Sequence, residues 1–157
     1  MRTVRETTET VVKQNVEAYY SADNKRFVSE ANCRDYEKAL KKVVNTEVVP
    51  MFKQVSEWDV FNQWAGSEEF YLGIIKVTED NFNKLRLFAD LNSCYEGVKY
   101  NDTEHKFTRD YIGKVVVFGL GYVNEGSNSV DNLSFYGSTN EWYRHMADAM
   151  CDALKLD

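Results

Sequence analysis

The sequence predicts an α+β protein, with helices packed on one face of a mainly antiparallel sheet and an N-terminal β-hairpin feeding a helix. Three observations lead there. Residues 69–77 and 112–123 are almost continuously apolar, as strands buried on both faces are. Residues 79–92 and 141–155 each follow a Ser, Thr or Asn cap and carry apolar side chains every three or four positions, the period of a helix. From residue 69 onward the order is strand, helix, strand, strand, helix, which suits a layer of helices over a sheet.

Two readings compete for residues 1–14. Val4, Thr8, Val11 and Val12 could share a helix face, but Thr and Val prefer strands. Strand is favoured because the next segment is itself a strand, and strands need neighbours. There Val16, Ala18 and Tyr20 alternate with Glu17 and Tyr19. Ala22-Asp23-Asn24-Lys25 is turn chemistry, since Asp and Asn tolerate left-handed backbone. Arg26-Phe27-Val28 returns as a strand. Ser29 caps a helix with Glu30 in its first turn, and Cys33, Tyr36, Leu40 and Val43 form its apolar stripe.

Further on, Pro50 is expected to open a short helix over Met51–Trp58. Glu69–Val77 is a strand. Thr78 caps a helix whose core face is Phe82, Leu85, Phe88 and Ala89. Cys94–Thr108 reads as loop with one short strand. Ile112–Val123 is the strongest strand, and Asn124–Asp131 is a turn. Leu133–Tyr136 reads as a short strand. Ser138, Thr139 or Asn140 caps a last helix to Lys155. If Ser138 is the cap, Glu141 completes a capping box.

The run from Tyr19 to Glu37, YYSADNKRFVSEANCRDYE, resembles a short module found in small uncharacterised proteins of tailed bacteriophages. That module combines tyrosine, an Asp turn, Lys, Phe, a Ser/Thr cap, Cys and Tyr-Glu. Arg26 and Asn32 depart from its usual acidic pattern. The resemblance implies a phage source and life in the cytoplasm of an infected bacterial host. It implies no activity and brings no catalytic residues. Residues 1–48 are accordingly set apart as a hairpin–helix module, joined to an acidic α+β portion, 49–157, in one compact unit.

At 157 residues, with 43% hydrophobic and 14% aromatic content, the chain can bury a real core. No apolar run approaches a membrane span, and the N-terminus lacks a signal-peptide core, so no membrane partner is expected. Cys33, Cys94 and Cys151 show no paired spacing and are expected to be buried reduced thiols. Residues 1–56 hold 10 basic and 8 acidic side chains, whereas 57–157 hold 9 and 17, a net of −8. That charge repels phosphate backbones, which disfavours direct nucleic-acid binding. It suits a partner protein with a basic surface.

Motifs for chemistry are thin. Gly119-Leu120-Gly121 lacks the third glycine and the following helix that a dinucleotide fingerprint needs. A bulge or close backbone contact inside a strand accounts better for it. Glu141, His145, Asp148 and Asp152 recur at spacings of four, three and four on the last helix. They form a candidate ligand stripe, but an acidic outer face opposite Trp142, Met146, Ala149, Met150 and Ala153 explains them as well. Neither a metal nor a cofactor is expected. Cys94 with His105 is a conceivable nucleophile pair that nothing in the sequence brings together. Trp58, Phe61 and Trp64 cluster as potential interface anchors. A second group comprises Tyr111, Phe118, Tyr122, Phe135, Tyr136, Trp142 and Tyr143, mostly expected in the core.

Three readings of function follow. The favoured one is a non-enzymatic phage accessory protein that binds and inhibits or redirects a host protein, such as a defence protein, through an acidic and aromatic surface. Its binding residues would be Glu141, His145, Asp148, Asp152, Trp58, Phe61 and Trp64. A DNA-mimicking inhibitor is its sharpest variant. The second is a sponge for a nucleotide signal, with Lys99, Lys106, Arg109, Lys114 or Arg144 pairing with phosphate. The third is an enzyme of unfamiliar design using Cys94, His105 or His145.

Overall fold

The computed structural model describes residues 1–8, 14–56, 70–92, 106–122, 130–144 and 147. The chain begins with two long strands, β1 (Arg2–Thr8) and β2 (Gln14–Tyr20), paired antiparallel from Arg2↔Tyr20 to Thr8↔Gln14. Strand therefore prevails over helix for residues 2–8. A tight turn follows. Asn24 takes φ 66°, the left-handed conformation its short polar side chain tolerates. The Asn24 N–H donates to the Ser21 carbonyl at 2.8 Å. The Asp23 carboxylate receives the hydroxyls of Ser21 and Tyr36. The returning strand β3 (Arg26–Phe27) is only two residues long and completes a three-stranded sheet of order β1-β2-β3.

Ser29 then caps α1 (Glu30–Val48), its hydroxyl accepting from the Asn32 N–H. At its start α1 meets the small sheet. The rings of Tyr36 and Phe27 lie 5.2 Å apart, and the Met1 ammonium sits 3.2 Å from Glu37. At its end α1 enters the main core. The apolar stripe runs through Cys33, Leu40, Val44 and Val48, while Val43 is 57% exposed. The expectation for Val43 is thus corrected. Steps of four from Leu40 hold the inward side, and Val43 falls one residue off it.

Pro50 does not open a helix over Met51–Trp58. It sits at the start of a 3₁₀ turn, Val49–Met51, after which Phe52 turns extended with ψ 139° and β4 (Lys53–Ser56) begins. Apolar spacing over so few residues cannot separate helix from strand. The decision is tertiary, because β4 supplies hydrogen-bond partners to one edge of β5 (Phe70–Lys76), from Lys53↔Ile74 to Ser56↔Tyr71. Trp58 lies outside the described residues.

Thr78 caps α2 (Glu79–Asn92) through a reciprocal pair with Asn81. The Asn81 N–H donates to the Thr78 hydroxyl at 3.2 Å, and the Thr78 N–H to the Asn81 side chain at 2.8 Å. Phe82, Leu85, Phe88 and Ala89 are all buried, as their spacing predicts. A 3₁₀ turn at Arg109–Tyr111 and a turn through Gly113, at φ +87°, delay the next strand, so β6 spans Val115–Tyr122 rather than starting at Ile112. The last strand, β7 (Val130–Ser138), is longer than Leu133–Tyr136 and takes in Val130 and Asp131 from the expected turn. The second sheet has the order β4-β5-β6-β7 with every pairing antiparallel.

One face of this sheet carries Ile75, Val116, Phe118, Leu120, Leu133 and Phe135 against α1 and α2. Gly73 is required there. A Cβ at that position would lie 2.8 Å from Leu120 Cδ1 and 3.1 Å from the Phe52 ring. Between the two helices, Asn45 and Asn92 exchange amide hydrogen bonds of 3.1 and 2.7 Å, each residue 3% exposed. The reverse face buries Leu72 and Val117 beneath Trp142 of α3 (residues 139–144). The apolar runs of β5 and β6 are explained by this double burial.

Candidate functional site

Of the residues favoured for partner binding, Glu141 at the start of the last helix is the one that lies among the described residues. The start of that helix is built by backbone chemistry. Gly137 adopts φ +82°, where a Cβ would also run into the Glu141 carboxylate. Ser138 then caps the helix. Its hydroxyl accepts the Glu141 N–H at 3.3 Å, and Glu141 Oε2 accepts the Ser138 N–H at 2.6 Å. This is the reciprocal capping box. Glu141 Oε1 also accepts the Tyr111 hydroxyl at 3.5 Å. The carboxylate is therefore half-buried and occupied locally. Burial, with Glu141 beside it, pushes the Tyr111 hydroxyl up to about 12.

The exposed positions of the helix start are Asn140, Tyr143 and Arg144. Tyr143 is 65% exposed, its ring edge-on to buried Trp142 at 5.0 Å. The sequence placed Tyr143 in a largely core group. The signal that separates it was available, since it adjoins Trp142, and neighbours on a helix diverge by about 100°. His145, Asp148, Asp152, Trp58, Phe61 and Trp64 lie outside the described residues. So do Cys94, His105, Cys151 and Lys99.

The cations considered for phosphate are partly engaged. Arg109 donates to Glu79 at 2.7 Å and stands 5.3 Å over the Phe82 ring. Lys114 stands 5.4 Å over the Tyr111 ring. Arg144 is exposed. Of the second aromatic group, Tyr111, Phe118, Phe135 and Trp142 are buried; Phe107 stacks on Tyr111 and meets Phe118 and Phe135 edge-on, while Tyr111 is edge-on to Phe135 and Phe118 is tilted against Phe135.

Gly119 and Gly121 sit inside β6, opposite Leu72 and Phe70 of β5. A register shift at Gly121/Tyr122, where β7 carries the extra residue, places an irregularity next to them. Cys33 is fully buried, and burial, with Glu37 adding to it, pushes its thiol up. Such a thiol is a poor nucleophile. Among the described residues no group of three or more His, Cys, Asp or Glu is placed to hold a metal ion. Among them, too, no helix is long and apolar enough to cross a membrane. No family model, no curated protein and no solved structure matches the chain.

Proposed function

We propose that the protein acts by binding: a phage accessory protein that inhibits or redirects a host protein with a basic surface, in the cytoplasm of the infected cell. The observation that carries the reading is the net charge of −8 on residues 57–157. An acidic field of that size draws in basic surfaces and speeds their encounter. Exposed Tyr143 supplies an aromatic anchor of the kind interfaces use. The hairpin–helix resemblance over residues 19–37 supports the phage setting. Within the described residues, Glu141 and Cys33 are engaged in capping and packing, which leaves them to structure rather than to catalysis.

A pull-down from bacterial lysate at low and high salt tests this. The expected result is one stoichiometric host protein, released by salt and lost from the variant Asp148→Asn/Asp152→Asn while that variant remains folded. Release by added double-stranded DNA identifies the partner's nucleic-acid site as the target. A folded protein that retains nothing overturns the reading. Thermal stabilisation by a nucleotide would then favour the ligand sponge.

A further inference from the structure

Among the described residues β1 has a hydrogen-bonded neighbour on one side only, β2. Its other edge offers seven residues, Arg2–Thr8. Such an edge is a template for another strand unless something blunts it. No proline or described bulge interrupts it, and its pairing with β2 is regular over all seven positions.

The side chains of this edge complement themselves. Arg2, Val4 and Glu6 share one face, with Tyr20, Ala18 and Val16 opposite them on β2. Arg2 lies 5.0 Å over the Tyr20 ring, and Tyr20 donates its hydroxyl to Glu6. Glu6 is held from the far side by Arg26 at 2.6 Å. On an antiparallel edge only alternate residues turn their N–H and C=O outward, so strands related by a two-fold must pair residues of like parity. Centring the two-fold on Val4 sets Arg2 against Glu6 of the second copy, and Glu6 against its Arg2. Val4 meets its counterpart and Thr3 meets Arg5. Centring it on Arg5 would set two arginines face to face. Centring it on Thr3 would shorten the ladder and leave Glu6 without an opposite residue on the strand.

We propose that β1 is a homodimer edge, pairing antiparallel with β1 of a second copy about a two-fold at Val4 and joining the two small sheets into one of six strands. Two Arg2–Glu6 ion pairs then flank a central valine contact. Each extends a chain of charge, Arg26 to Glu6 to the facing Arg2. Half-buried Val4 gains cover from its twin.

Sedimentation of the full chain over a concentration series tests the proposal. The wild type is expected to dimerise. Arg2→Glu sets like charges opposite one another at both ends and weakens dimerisation by about tenfold or more. Glu6→Arg does the same. An equimolar mixture of the two variants restores a dimer, because each then supplies the charge the other lacks. Arg2→Glu leaves the Glu6–Arg26 bond intact, so it decides the matter even if Glu6→Arg fails to fold. Mild oxidation of Val4→Cys gives a disulfide between the introduced thiols, mapped by mass spectrometry, whereas Thr3→Cys gives none. A monomer at every concentration overturns the proposal. So does a dimer that Arg2→Glu leaves unchanged, which would place the contact on another surface, or one that cross-links through Thr3→Cys.

Discussion

Single residues decide how closely the main sheet can be covered. Gly73 lets Phe52 and Leu120 meet over β5, with the Phe52 ring 5.5 Å from that of Phe118. Gly73→Ala overpacks this spot and is expected to cost about 1–3 kcal/mol, read as a lower urea midpoint with an unchanged slope. Tyr111 gives a pH signature. In the unfolded chain its hydroxyl titrates at about 10. In the folded protein it holds its proton up to about 12. The stability it contributes is whole below the lower value and is lost as pH rises toward the upper one. Tyr111→Phe should therefore make the alkaline decline in thermal midpoint shallower across that window. Neither role was visible in the sequence, where Gly73 is one glycine in an apolar run and Tyr111 one of many aromatics. Both depend on which residues a strand register or a turn sets opposite, and register is a long-range fact.

At the scale of elements, caps and periodicities were legible. Ser29, Thr78 and Ser138 cap the helices that their sequences announce, and α2 buries the face its spacing marks. These signals are local, so they survive without knowledge of the fold. Residues 53–56 were misread because their conformation is dictated by β5, a strand more than a dozen residues away. The candidate site was legible only as residue types. Glu141 is the capping-box partner its spacing from Ser138 announces, and the exposure of Tyr143 could have been read from its place beside core-facing Trp142. Ser138→Ala should cost about 1 kcal/mol. Glu141→Gln keeps the box, since Gln also serves at that position, and should cost less. Chemical denaturation separates the two. The Asn45–Asn92 exchange joins α1 to α2 in the interior. Asn45→Leu leaves the Asn92 side-chain oxygen without its donor, although the Asn92 amide N–H still reaches the Phe88 carbonyl at 2.8 Å, and is expected to cost about 1–3 kcal/mol, with Asn45→Leu/Asn92→Leu recovering part of the loss.

Across the whole molecule, α1 reaches both sheets. Its 19 residues span about 28 Å. Phe27 packs near its start, and Val44 and Val48 enter the core with Phe52 and Phe88 near its end. Heat should therefore unfold both sheets in one transition, with far-ultraviolet circular dichroism and tryptophan fluorescence giving the same midpoint. Distinct midpoints would show that the helix does not couple them. Charge at this scale has the opposite character, since it acts on the approach of a partner more than on the fold.

The reach of α1 also bears on where the chain tolerates a break. A fragment ending at Val48 would retain the hairpin and its turn, yet Leu40, Val44 and Val48 would face water along one side. The complementary fragment would lose the residues that roof Phe52 and Phe88. Each piece would carry a raw apolar seam, so cleavage after Val48 should yield aggregation or reassociation of the halves, rather than two well-behaved products.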